Sequence, residues 1–239
     1  MNSPRTTASL SKLQTFKRLL SHLVELPVAE FESDHNPSLK VALHRGRYKL
    51  ITYGAIYSFG DLYANFRKTF ERLDWSKRKI ESCLILGLGL GSIPDMLVTK
   101  FQKNIRFTAV EIDEVVIQLA MQYVLRPKNI NVEVFTSDAA DFIQWHHGRY
   151  DMICSDVFVG DRIPAGLQTE EALDAMKEML KPGGLLLYNR LSRYSPDIQA
   201  SIKFRDEVFL KVFPEGGYLD LDGNWMFVSD LKAFKISRS

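Results

Sequence analysis

Ten consecutive residues constrain this chain more than any others: Cys83-Leu84-Ile85-Leu86-Gly87-Leu88-Gly89-Leu90-Gly91-Ser92. An apolar run breaks into three glycines at alternate positions, and an amphipathic segment follows from Ile93 to Phe101. The pattern predicts a buried parallel strand, a tight turn and a helix whose start faces a ligand. Glycine suits such a turn because the backbone bends sharply and a ligand can approach without meeting a Cβ. Ser92, with Asp95 three residues on, reads as a helix N-cap pair.

After this unit, strands and helices alternate as in a doubly wound sheet. Strands are expected at Arg106–Glu111, Asn131–Ser137, Tyr150–Ser155 and Gly184–Tyr188. Helices are expected over 113–124, 138–145, 169–180 and 196–213, the third closed by Lys181-Pro182-Gly183-Gly184. The alternation then stops. Two strands around Asp222-Gly223 signal a C-terminal antiparallel hairpin, which makes seven strands in all.

Upstream the texture differs. Val28–Phe31, Leu39–His44 and Tyr48–Tyr53 read as short strands, with turns at Asn36-Pro37 and Arg45-Gly46-Arg47. Asp61–Leu73 reads as a helix and 75–81 as a charged connection. The expected organisation is an N-terminal amphipathic helix over 1–26, a small antiparallel β domain with linker helix over 27–78, and the main domain over 79–239. The first 24 residues are basic and rich in Ser and Thr, as transit peptides are. Leu13, Phe16, Leu20, Leu23 and Val24 nevertheless recur at helical spacing, and the amphipathic-helix reading is preferred.

The chain has 239 residues, 46% of them hydrophobic, enough for a full α/β core. A net charge of +2 does not call for nucleic acid or an anionic membrane. No apolar run approaches the ~20 residues of a membrane span. Cys83 and Cys154 both lie in apolar runs, as core residues on neighbouring strands of a reduced, cytoplasmic protein would. His146-His147 falls at the wrong end of the sheet for a site, and no metal is expected.

Chemistry collects at the carboxyl ends of the strands. Strand one ends in the glycine turn. Strand two ends in Glu111, twenty residues beyond Gly91, from where a carboxylate can accept both hydroxyls of a ribose. Strand three ends at Asp138, placed to accept from an adenine amino group, and strand four at Asp156. A dinucleotide site prefers Gly-x-Gly-x-x-Gly and a pyrophosphate on the helix start. Here the third glycine comes one residue early, and Asp95 and Asp156 would oppose a pyrophosphate. They suit a nucleoside carrying sulfonium or ammonium charge, such as S-adenosylmethionine or its decarboxylated relative.

These residues resemble the spermidine synthase (polyamine aminopropyltransferase) family, within the class I S-adenosylmethionine-dependent methyltransferase fold. The likeness runs from about Leu39 to Asp230. It rests on the glycine turn, Val110-Glu111-Ile112-Asp113, Asp138-Ala139, Tyr150-Asp151-Met152-Ile153-Cys154-Ser155-Asp156, Leu180-Lys181-Pro182-Gly183-Gly184 and Gly223-Asn224-Trp225-Met226-Phe227. It implies a Rossmann-like seven-stranded α/β sheet behind a small β domain. It also implies cofactor contacts from Gly87, Leu88, Gly89, Gly91, Glu111, Ile112, Asp138, Ala139 and Asp156, with Asp156 catalytic. Three positions depart from the family. Leu90 stands where an aspartate holds the aminopropyl amine, Val159 where a second aspartate holds the polyamine, and Tyr57 where a glutamine is usual.

Tyr57, Asp61 and Arg190 are the candidate acceptor residues, Arg190 being placed to draw in an anion. The expected activity is methyl transfer to a small-molecule acceptor, because the nucleoside half of the motif survives and the polyamine half does not. The alternatives are aminopropyl transfer from decarboxylated S-adenosylmethionine and a catalytically idle binding or scaffold member. No nucleic-acid or membrane partner is expected, and the exposed strand edges would permit a homodimer.

Overall fold

The computed structural model describes residues 15–52 and 55–235. Four strands, β1 (Leu26–Phe31), β2 (Leu39–His44), β3 (Arg47–Thr52) and β4 (Ala55–Ser58), form an antiparallel sheet in chain order. The first three match the sequence expectation closely. The fourth is only four residues long, and its pairing with β3 slips register between Leu50 and Ile51, so no sequence period marks it. The turn between β2 and β3 places Arg45 at φ 49° and Gly46 at φ 72°, the two left-handed residues of a tight hairpin.

The second sheet has seven strands: β5 (Ser82–Leu86), β6 (Arg106–Glu111), β7 (Val132–Thr136), β8 (Tyr150–Ser155), β9 (Leu180–Leu191), β10 (Gly217–Asp220) and β11 (Asn224–Val228). Their order across the sheet is β10-β11-β9-β8-β5-β6-β7, with β11 antiparallel to both neighbours. Strand β9 starts at Leu180 rather than Gly184. Its pairing with β8 shifts register between Tyr150 and Met152, and Gly183 takes φ 75°, so the expected helix stop is an irregular strand entry instead.

Period-two alternation sends each central strand into two cores. Cys83, Ile85, Leu185 and Leu187 pack on one face, and Leu84, Leu86, Leu186 and Tyr188 on the other. The first face is covered by α1 (Ala64–Arg72), α2 (Ser92–Asp95, continued by a π-type turn Met96–Lys100) and α3 (Glu114–Ala120, continued by Met121–Leu125). The second is covered by α4 (Ala139–Trp145), α5 (Glu170–Glu178) and α6 (Ser195–Phe204, running on to Val212). The Cys83 and Cys154 sulfurs lie 3.9 Å apart, unbonded and buried, on neighbouring strands.

Polar groups seal the small sheet to the large one. Asp113 is 1% exposed. Its Oδ1 caps α3 by accepting from Val115 N at 2.9 Å, and its Oδ2 accepts from Ser33 Oγ at 2.5 Å and Asn36 Nδ2 at 2.7 Å. Ser92 Oγ is 2.5 Å from Ser58 Oγ and accepts from Phe59 N and Gly60 N at 3.1 and 2.8 Å. This corrects the expected cap: Gly91, at φ 79°, is the N-cap of α2, and Ser92 lies inside the first turn facing the small sheet. Asp95 is likewise turned away from the glycine loop, 3% exposed and 2.5 Å from Lys128 Nζ.

The N-terminal segment also differs from expectation. Residues 15–20 are helical, but Phe16, Leu19 and Leu23 are more than half exposed. The segment is anchored instead by Ser21, fully buried, whose Oγ accepts from Gly46 N at 2.9 Å and whose carbonyl accepts from Arg45 N at 2.8 Å. Leu13 and the rest of residues 1–14 lie outside the described residues. No helix among the described residues is long and apolar enough to cross a membrane.

Candidate active site

The chain runs outward from β5 through β6 to β7, then returns to place β8 on the other side of β5. A cleft opens above the carboxyl ends at this reversal, where open α/β sheets bind ligands. With its open mouth included it holds about 1230 Å³ of free space.

Gly87 follows β5 and Asp156 follows β8, and their backbones cross at close range. Gly87 N donates to Val110 O at 2.9 Å and Asp156 N to Leu86 O at 2.8 Å. A Cβ on Gly87 would sit 2.5 Å from the Asp156 carbonyl oxygen, and the residue has φ 87°. Only glycine meets both demands. Gly87, Leu88 and Gly89 line the cleft. Gly91 does not: a Cβ there would meet Leu125 at 2.8 Å, so this glycine serves the packing of α2 against α3.

Glu111 ends β6 on the wall beside the glycine turn. Its Oε2 accepts from Leu88 N and Gly89 N, both at 3.1 Å, and its Oε1 from Ile112 N and Asp113 N at 3.0 and 3.3 Å. Burial raises its pKa, and the backbone donors of Gly89, Asp113 and Ile112 hold it back. Ile112, Asp138 and Ala139 line the adjoining wall. Asp138 caps α4 through Oδ1, which accepts from Ala140 N at 2.6 Å and Asp141 N at 3.3 Å. It is an N-cap and a cleft residue at once.

Across the cleft stands Asp156. Its Oδ1 accepts from Asn189 Nδ2 at 2.8 Å and from the Tyr63 hydroxyl at 3.2 Å. Asn189 Oδ1 in turn accepts from Asn224 Nδ2 at 3.0 Å. Burial pushes the Asp156 carboxyl up to about 6, against the opposing pull of the Asn189 and Tyr63 hydrogen bonds. Burial and then the Asp156 charge hold the Tyr63 phenol well above its ordinary range. A carboxylate poised near neutrality and fixed by two donors can take a proton from a bound nucleophile.

Two expected acceptor residues stand elsewhere. Asp61 pairs with Arg47, Nε to Oδ1 at 2.6 Å and Nη2 to Oδ2 at 3.2 Å, within the small sheet and its connection. Arg190 is 6% exposed, donates to Gln168 Oε1 at 2.9 Å and lies 4.2 Å from the Phe204 ring centroid. It is one residue out of phase: alternation along β9 turns Asn189 to the cleft and Arg190 to the helices behind the sheet. Tyr57 belongs to β4, and its side chain lies outside the described residues. Leu90 is 1% exposed within the core, and Val159 and Asp161 stand on the loop over the cleft.

Sequence reading missed Tyr63, Asn65, Asn189, Arg193 and Asn224, all of which line the cleft. Asn189 did carry a signal. It is a buried amide beside an apolar strand run, next to the residue that pairs in register with Ser155. Tyr63 and Arg193 lie in loops and carry none.

Strand order, glycine turn and carboxylate rim together define a class I methyltransferase fold, that of S-adenosylmethionine-dependent transferases. Residues 83–184 match the model of a methyltransferase domain. A polyamine aminopropyltransferase of Vibrio vulnificus is 38% identical over 117 residues, 48% of this chain and 39% of that protein. The chain thus spans well under half the length of this curated relative. A probable spermidine synthase from Corynebacterium glutamicum superposes with a TM-score of 0.73 at 18% identity, covering 89% of this chain and 83% of that one. Human methyltransferase-like protein 13, solved in complex with SAH, gives 0.52 at 22% identity over 64% and 72%. The chain therefore has homologues among the polyamine aminopropyltransferases and carries a methyltransferase-type domain over residues 83–184.

Proposed function

We propose that this protein transfers an aminopropyl group from decarboxylated S-adenosylmethionine to a small amine. The observation that carries the reading is Asp156, a desolvated carboxylate held by Tyr63 and Asn189 on the cleft wall opposite Glu111. The donor supplies a sulfonium: the amine lone pair forms the new C–N bond as the C–S bond breaks, its electron pair returning to sulfur as a neutral thioether. Asp156 takes the proton that the amine must lose, which suits a pKa of about 6. Glu111 would accept the ribose hydroxyls, Asp138 would face the base, and the Leu88 and Gly89 backbone would lie along the nucleoside.

The relatives weigh toward aminopropyl rather than methyl transfer. The likeness to the spermidine synthase covers 89% of the chain and therefore takes in much of the small sheet, whereas the likeness to the methyltransferase covers 64%. Leu90 favours methyl transfer as a second reading, since it is buried and offers no carboxylate to an aminopropyl ammonium. Calorimetric titration with S-adenosylmethionine and with its decarboxylated form decides between the two. Tighter binding of the decarboxylated donor supports the proposal, tighter binding of the carboxylated one supports methyl transfer, and binding of neither rules out both.

A further inference from the structure

We infer that the acceptor is an amine that also bears an anionic group, and that Arg193 is the residue that selects it. The inference rests on the amine-transfer reading above. On the acceptor side the cleft is lined by Tyr63, Asn65, Asn189, Arg193 and Asn224, with the loop residue Asp161 at the mouth. Among these Arg193 is the cation. Two residues beyond the end of β9, it passes its stem over the hairpin turn, where an added Cβ on Gly223 would come 3.4 Å from Arg193 Cγ. The stem therefore lies beside the turn, and the residue lines the cleft.

Arg193 forms no hydrogen bond or ion pair among the described residues. Arg47 is engaged with Asp61, Arg78 with Asp230, and Arg190 with Gln168 and Ser201, whereas Arg106 and Arg126, which also lack a side-chain partner among the described residues, are exposed and away from the cleft. A guanidinium without a protein partner on a ligand cleft has its five donors available for a carboxylate or similar anion.

The position relative to Asp156 sets the shape of the ligand. The Tyr63 hydroxyl is 3.2 Å from Asp156 Oδ1, and the Asp156 and Arg193 charges act on it in opposite senses. Both a proton acceptor and a cation thus stand near the Tyr63 hydroxyl on the wall of one cleft. An acceptor whose amine lies at Asp156 meets positive charge further along the wall. A second ammonium there would be repelled, and an anion would be held by charge-assisted hydrogen bonds. Asn65 and Asn224 add neutral polar contacts of either sense.

Two probes of equal length test this: 1,4-diaminobutane and 4-aminobutanoate, which differ in the sign of charge at one end. Each is titrated calorimetrically into the 239-residue protein saturated with 5′-methylthioadenosine, for the natural chain, Arg193→Gln and Arg193→Glu. The expected result is that the natural chain binds the amino acid at least about tenfold more tightly than the diamine. Arg193→Gln loses about ten- to a hundredfold for the amino acid and changes the diamine little, while Arg193→Glu inverts the order. The inversion is a gain that misfolding cannot imitate. Tighter diamine binding by the natural chain overturns the inference, as does equal loss of both probes in Arg193→Gln. Binding of neither probe with nucleoside affinity intact also overturns it and leaves the transfer reading standing. A natural chain that fails to bind the nucleoside overturns the transfer reading itself.

Discussion

The two ends of the cleft are built in different ways. The end proposed for the donor is made of three short stretches of chain at the tips of β5, β6 and β7, where backbone amides and the carboxylates of Glu111 and Asp138 do the shaping. The end proposed for the acceptor is assembled from side chains of separate elements: the segment before α1 and its first turn, the loop after β8, the end of β9 and the start of β11. A site shaped by backbone at strand tips changes little unless the fold changes. One made of side chains from four elements can change its ligand by single substitutions, which is how one fold serves several chemistries.

Substitutions at each end separate the two halves. The largest effect is expected for Asp156→Asn. Turnover should fall by about 10²–10⁴-fold in a steady-state assay, with donor affinity in calorimetry close to unchanged. Equal loss of donor affinity would show that Asp156 belongs to the donor end instead. Glu111→Ala comes next. It removes an acceptor of four backbone amides as well as the proposed ribose contact, so donor affinity should drop by about ten- to a hundredfold or more while the acceptor constant holds.

Titration gives a third measure. If Asp156 must be ionised to act, the rate should rise with pH through about 6 and be lost below it. Stability should move the other way. The folded carboxyl binds its proton more tightly than the unfolded one, so the stabilisation from protonation is present at low pH. It is lost as pH rises from about 4 through about 6. The difference should be on the order of a few kcal/mol in chemical denaturation and absent in Asp156→Asn. Tyr63→Phe is a smaller perturbation. It removes a hydrogen bond that favours the ionised form, so the acid limb of the rate profile should shift upward by a fraction of a pH unit to about one unit. A downward shift would mean that Tyr63 does not stabilise the carboxylate. Smallest of all, Asp61→Asn should cost under about 1 kcal/mol in thermal unfolding and leave both ligand constants alone, because it breaks a half-exposed ion pair away from the cleft.

The same contrast explains what could be read from the sequence. Arg106–Glu111, Tyr150–Ser155 and Asn224–Val228 appear in the fold with the boundaries expected, because each is an apolar run ended by a polar strand tip. The glycine turn, Glu111 and Asp138 were legible for the same local reason. Arg190 was misplaced because the register of β9 starts at Leu180 through an irregular pairing, and one residue of phase decides which face a side chain takes. The Ser92 cap was misread because its hydroxyl turns to Ser58, a partner 34 positions away. Arg193, Tyr63 and Asn224 come to one cleft only in three dimensions.

The seam between the two sheets reaches the glycine turn itself. Ser92, bound to Ser58, Phe59 and Gly60, immediately follows Gly91, and Asp113, bound to Ser33 and Asn36, stands two positions after Glu111. A molecule seated on the turn and one edge of the small sheet therefore press on the same few peptides from opposite sides. Occupying the cleft should slow amide exchange across 33–60 although no atom of the guest touches most of that stretch. Trimming the chain to 79–239 would strip the far support from those peptides and slacken the nucleoside grip, even with its contact residues retained.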